Sequence, residues 1–168
     1  MTRPRQPRRI DPRDAGLGDA AAEPLVALWA LAHRDESITV HDCEIHCLIA
    51  IALAAEDDLV AALLLRKLRL ARRIRAGESD PNAARMNSLV AFRHGTVRRH
   101  CLRLVHPRAV ATTEAALSVD SAAGSGLIGL VPEQSLLWPD ASGGLSELSV
   151  IEVRNDATPP GMSMPAGR

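Results

Sequence analysis

From Ile38 to Ala76 apolar residues recur at three- and four-residue spacing, and beyond Arg85 they recur nearly every second residue. The chain therefore changes from a helical to a strand period partway along. In the first stretch Ile45, Leu48, Ile49, Ala52 and Leu53 form one helical stripe, and Val60, Leu63, Leu64, Leu68, Ala71 and Ile74 form a second. Asp42 is placed to cap the first helix, because its carboxylate can accept from the free amides of the first turn, and the second starts near Asp57 or Asp58. Gly77 is placed to end the second as a C-terminal cap. Two stripes joined by a few residues predict an antiparallel helical hairpin, a short coiled coil whose tip, Ala54 to Asp58, carries the acids Glu56, Asp57 and Asp58. A single continuous helix is the alternative, since neither Gly nor Pro separates the stripes.

The two-residue period places strands at Leu89–Arg93, Val97–Val105, Ala116–Val119, Leu136–Trp138 and Leu148–Val153, with His94-Gly95-Thr96 as a hairpin turn. Between the third and fourth lies Gly124-Ser125-Gly126-Leu127-Ile128-Gly129-Leu130, which suits a short helix. Its glycines imitate a phosphate loop, but no Gly-Lys-Ser/Thr occurs, and close backbone packing is the simpler reading. The fold class expected is α+β, a helical hairpin followed by an antiparallel sheet with a short helix. Four regions follow: a flexible Arg/Pro-rich tail with one short helix over 1–37, the hairpin over 38–80, the sheet domain over 81–156, and a disordered tail over 157–168.

Composition narrows the function. Of 168 residues 46 % are hydrophobic, enough for a real core. The 20 basic and 20 acidic residues cancel, so no overall positive field draws the chain to nucleic acid or an anionic membrane. Aromatic carbocycles are limited to Trp29, Phe92 and Trp138, too few for base-stacking platforms. Cys43, Cys47 and Cys101 are an odd number without paired spacing, which argues against a disulfide framework and for a reducing, cytoplasmic setting.

Arg3, Arg5, Arg8, Arg9 and Arg13 before the run Leu25–Ala32 imitate a secretory signal, but Asp11, Asp14, Asp19 and Glu23 dilute the charge. Pro24 then reads as the start of a short amphipathic helix, and no run is long enough to span a bilayer. Cys43, His46 and Cys47, at i, i+3 and i+4, share one side of a helix as zinc ligands would, yet a closed site needs four ligands and no second pair follows. Neither a metal nor another cofactor is expected. No nucleophile elbow occurs, and His100 and His106 beside Cys101 read as alternating strand residues, so no enzyme chemistry is assigned.

Four segments carry a family resemblance. Met86-Asn87-Ser88-Leu89-Val90-Ala91-Phe92-Arg93, Leu104-Val105-His106-Pro107, Leu117-Ser118-Val119-Asp120-Ser121 running through Ala122-Ala123-Gly124-Ser125-Gly126-Leu127-Ile128-Gly129-Leu130, and Leu137-Trp138-Pro139 resemble the C-terminal domain shared by the GreA/GreB transcript-cleavage factors and Rnk, the regulator of nucleoside diphosphate kinase. The Met-Asn-Ser, Leu-Val-x-Pro and Trp138 features are more similar to Rnk. The resemblance implies an FKBP-like sheet and a bacterial protein that binds RNA polymerase near its secondary channel.

It further implies that the sheet domain grips the channel rim through Asp120, Ser121, Ala122 and Gly124. Cleavage factors tend to have Asp-Ser-Pro where this chain has Asp120-Ser121-Ala122, and Gly-Asp where it has Glu133-Gln134. In those factors acidic tip residues of a long hairpin help to hold a catalytic magnesium ion. Each arm here has about 14 to 19 helical residues, or roughly 20 to 28 Å, and the factors' arms are markedly longer. Glu56, Asp57 and Asp58 are therefore expected to stop short of the active centre, which favours a non-cleaving polymerase-binding regulator. A Gre-like cleavage factor, or an interaction module with another partner, is the alternative reading. The N-terminal arginines offer a weak nucleic-acid contact. Neither a membrane nor a small-molecule substrate is implied, and a chain this poor in aromatics cannot build a prolyl isomerase pocket.

Overall fold

The change of period falls where helices give way to sheet. A computed structural model describes residues 18–79, 81–96, 98–140, 142 and 144–155, with side chains from Glu23 onward. The arginine-rich start of the 1–37 tail and the 157–168 tail lie outside the described residues. The elements are α1 (Gly18–Ala32), β1 (Thr39–His41), α2 (Asp42–Ala54), α3 (Asp58–Leu70), β2 (Arg72–Ile74), β3 (Leu89–His94), β4 (His100–Val105), β5 (Ala116–Ser118), α4 (Ala122–Leu127), β6 (Ser135–Pro139) and β7 (Leu145–Arg154), with a 3-10 helix at Pro107–Thr112. Strands β3 to β7 form one mixed sheet in the order β5-β4-β3-β7-β6, in which β4 and β5 run parallel and the other pairs antiparallel. The architecture is α+β as expected, but the sheet is not wholly antiparallel, because the chain crosses over through the 3-10 helix and returns β5 parallel to β4.

Two helices, not one, occupy the middle segment. Asp57 Oδ1 accepts from the Val60 amide at 3.0 Å, which caps α3 as its position predicts. Asp42, expected as the cap of α2, is instead its first helical residue; the cap position is His41, with no side-chain bond to the first turn. Asp42 and Glu44 in that turn still favour the positive end of the helix dipole. Gly77 does not end α3. The helix stops at Leu70, and the chain straightens at Ala71 because residues 72–74 pair in parallel with β1, Thr39 opposite Arg72 and His41 opposite Ile74. Ile74 is buried as expected, but from a strand. Pro24 lies inside α1 rather than at its start. The intrahelical bond that its missing N–H forgoes is offset by the burial of Trp29 and Ala30 further along the same helix. The second expected strand begins at His100, not Val97, and His106 lies beyond it, accepting from the Arg108 amide at 3.2 Å at the head of the 3-10 helix.

One hydrophobic cluster joins the helices to the sheet, from Ile45, Leu48, Leu63, Leu64 and Leu68 to Val90, Leu104, Leu127, Trp138 and Leu148. Within it lies a lysine. Lys67 is 0 % exposed, its Nζ donates to the carbonyls of Ser125, at 3.1 Å, and Gly126, and it stands 5.1 Å from the centre of the Trp138 ring. Those carbonyls belong to the last turn of α4, where helix geometry leaves acceptors unpaired and the dipole favours positive charge. Gly126 lets the contact close: a Cβ there would lie 2.7 Å from Trp138 Cδ1 and nearer still to Leu148.

A second tie is made at the sheet's edge. Trp29 Nε1 donates to the Leu137 carbonyl at 2.7 Å, and the Leu137 amide donates to His33 Nε2 at 3.0 Å. His33 Nδ1 in turn donates to the Trp29 carbonyl at 2.9 Å. Trp29 of α1 and His33 just after it thus satisfy both outward backbone groups of an edge-strand residue, as a neighbouring strand would.

Two outcomes are expected. Burial pushes the Lys67 pKa well below its ordinary value. The folded protein then holds that proton less tightly than the unfolded chain, so stability rises with pH in the window below the ordinary lysine pKa of about 10.4. Denaturant unfolding from pH 7 to 10 should show wild type gaining on Lys67→Met, and parallel curves for the two would exclude this account. Gly126→Ala should cost about 1–3 kcal/mol by overpacking against Trp138. An unchanged melting temperature would show that the α4 contact is loose.

Candidate functional site

The turn between β5 and α4 is built from short polar side chains that bond to their own backbone. Ser121 caps α4: its hydroxyl accepts from the Gly124 amide at 3.1 Å and donates to the Ser118 carbonyl at 2.6 Å. The Ser118 hydroxyl donates to Asp120 Oδ1. Gly124 lies so close to β5 that a Cβ would collide with the Ser118 carbonyl. Asp120, Ser121 and Ala122 are half-buried and Gly124 is buried. The four residues form one turn, in which Asp120 supplies the carboxylate. Ala122 occupies the first position of α4, where a backbone N–H has no intrahelical acceptor. Proline is tolerated there for the same reason, so alanine in its place leaves the hydrogen bonding of the turn intact.

The expected departure at Glu133-Gln134 is also visible. Glu133 has φ of 70°, a left-handed conformation that glycine adopts at less cost. Gln134 supports the turn through Oε1, which accepts from the Val131 amide at 2.9 Å, and Nε2, which donates to the Ser37 carbonyl at 3.2 Å.

The three acids Glu56, Asp57 and Asp58 are exposed at the break between α2 and α3. Asp57 is engaged as the α3 cap. From Asp58 to Lys67, where α3 meets α4, is nine residues, or about 14 Å of helix. The acids and the β5–α4 turn are therefore not one site.

A cavity of about 490 Å³ opens over the sheet beside α4, with Phe92, Leu102, Leu117 and Ala123 among its walls and His94 and Asp140 at its polar side. The hydroxyl and amide of Ser142 hold the Asp140 carboxyl below its ordinary pKa. Phe92 is the one Phe, Tyr or Trp side chain among the lining residues. Cys43, His46 and Cys47 are exposed on α2, and among the described residues no group of three His, Cys, Asp or Glu is placed to hold a metal ion. No described helix is long and apolar enough to cross a membrane.

Lys67 and the Trp29/His33 pair were not singled out from the sequence. For Lys67 a signal was present: it lies three and four residues beyond Leu64 and Leu63, on the apolar stripe itself.

No family model and no characterised protein sequence matches the chain. Among solved structures, the prokaryotic transcription elongation factor GreA/GreB from Nitrosomonas europaea matches at 27 % identity and a TM-score of 0.51, covering 71 % of this chain and 98 % of that one. GreA factor homolog 1 (Gfh1) of Thermus thermophilus matches at 16 % identity and a TM-score of 0.34, covering 83 % and 96 % of the two chains. Gfh1 of Thermus aquaticus matches at 18 % and 0.37, covering 81 % and 88 %. The two Gfh1 superpositions are too loose to carry weight. In sequence motifs and in structure, this chain is similar to the GreA/GreB transcription elongation factors.

Proposed function

We propose that the protein is a bacterial, cytoplasmic transcription regulator of the Rnk type that binds RNA polymerase near its secondary channel through Asp120, Ser121, Ala122 and Gly124, without stimulating transcript cleavage. On this reading the five-stranded sheet with α4 is the family's FKBP-like module, and α2 with α3 is its helical hairpin. Support for a polymerase partner comes from the likeness to the Nitrosomonas factor and from the hydrogen bonding of the β5–α4 turn, which keeps the Asp-Ser shape with Ala122 in place of proline.

The observation that carries the non-cleaving half is the anchoring of α3. Each helix of the pair has 13 residues, about 20 Å, shorter than the arms read from the sequence. Lys67 fixes α3 to α4, so Asp58 extends only about 14 Å along the helix beyond the sheet module. Acids held that close to the rim contact do not reach a catalytic metal deep in a channel. Asp57 is in addition accounted for as a cap. A cleavage factor remains the second reading because Glu56 and Asp58 are exposed acids at the tip and carboxylates suit magnesium.

Gel filtration with core RNA polymerase at micromolar concentration should give co-elution, and its absence would defeat the proposal. Asp120→Ala should weaken binding about tenfold, equivalent to about 1.4 kcal/mol. The combined Glu56→Ala, Asp57→Ser and Asp58→Ala variant, which retains a capping side chain, should bind as wild type does. In a backtracked elongation complex the native protein should leave the transcript uncut. Cleavage that appears with the native protein and disappears with the triple variant would overturn the non-cleaving assignment.

A further inference from the structure

Alongside α3, on elements other than the β5–α4 turn, the helices leave a groove of about 880 Å³. Val26 from α1, Ile45 and Ile49 from α2, and Leu65 and Leu68 from α3 give it an apolar floor. Its walls carry three guanidiniums, Arg66 and Arg69 on α3 and Arg73 on β2, together with Glu23 and Asp58. Arg66 and Arg69 are three residues apart and so face the same side of α3. Among the described residues, Arg66, Arg69 and Arg73 pair with no carboxylate. Arg66 Nε is moreover shielded from water with no hydrogen-bond acceptor, so this guanidinium is not fully satisfied within the chain.

We propose that this groove binds an acidic amphipathic helix of a partner protein, its apolar stripe on the floor and its carboxylates on the three arginines. Helix-in-groove docking lays the apolar face of an amphipathic helix into an apolar channel, and the arginines of the wall select an acidic partner. The 13 residues of α3 offer about 20 Å of channel, room for a partner helix of similar length. Guanidinium groups bind carboxylates in a bidentate manner, which fixes register as well as sign. A nucleic acid fits less well: no Phe, Tyr or Trp lines the groove for bases to stack on, and Glu23 and Asp58 repel phosphates. Asp58, at the opposite end of α3 from Arg69, also sets direction, because the partner's carboxylates must lie toward Arg69 and Arg73 and away from it.

The test uses the full chain and a fluorescent, helix-favouring peptide of about 14 residues, with leucines at three-four spacing flanked by glutamates. Fluorescence anisotropy should show saturable binding at least tenfold tighter than that of the same peptide with lysine for glutamate. The combined Arg66→Gln, Arg69→Gln and Arg73→Gln variant should lose at least tenfold in affinity. Should that variant fail to fold, the single charge reversal Arg69→Glu, at an exposed position, should reverse the preference between the two peptides. Asp120→Ala should bind the acidic peptide as wild type does, whatever its effect on polymerase. No saturable binding of the acidic peptide, equal binding of the lysine peptide, or unchanged affinity in the arginine variants would overturn the proposal. So would tighter binding of a single-stranded RNA oligomer or of phosphatidylglycerol vesicles than of the acidic peptide.

Discussion

A buried lysine without a carboxylate partner ties the helices of this molecule to its sheet. Lys67 has given up its hydration, which costs several kcal/mol before compensation, and regains interaction from two helix-end carbonyls and the face of Trp138. Carbonyl oxygens at the end of α4 are fixed in direction, so the compensation is available in one arrangement of α3 on α4 and in few others. The glycine beside them, the indole above them and the short reach of α2 and α3 follow from that arrangement. A helix that is tied into the core at Lys67 cannot also serve as a long projecting arm.

Much of the fold was legible because it rests on local rules. The change of period located the helices and the sheet, Asp57 announced the start of α3, and the glycine-rich segment announced α4. The short strands β1 and β2 were not legible, since three-residue strands leave no period to read. Their pairing cuts α3 off at Leu70, which is why the expected cap at Gly77 failed: the apolar stripe continued to Ile74 although the helix did not. Lys67 hid for a different reason. A lysine in an arginine-rich stretch reads as part of a solvated face, and only the position of α4, distant in sequence, turns it inward. The β5–α4 turn was found through a motif, and its hydrogen bonds explain why the motif needs those residues: the serine bonds in both directions, and the glycine admits the strand carbonyl. The groove arginines lie close together in the chain, at 66, 69 and 73, but their sharing of one channel depends on α1, whose packing the sequence did not disclose.

Two surfaces of different character therefore occupy different parts of the molecule. The β5–α4 turn is rigid, small and half-buried, and suits a contact whose specificity comes from one carboxylate in a fixed place. The groove is long, apolar and unpaired in charge, and suits a partner that supplies its own helix. Lys67 lies between them on α3, so that movement of the helix layer relative to α4 would break its carbonyl bonds in a dry interior. The two surfaces are thus joined through the Lys67 bonds to Ser125 and Gly126.

The Trp29 and His33 contacts at Leu137 have a further consequence, for assembly rather than folding. A five-stranded open sheet presents two margins at which another chain could add a strand, β5 and β6. On β6 the Leu137 carbonyl and amide are already taken by Trp29 of α1 and by His33 just after it. Filaments joined edge to edge need two such margins on every copy. With the Leu137 groups held by the chain's own indole and imidazole, a strand added at β6 would first have to break both of those bonds.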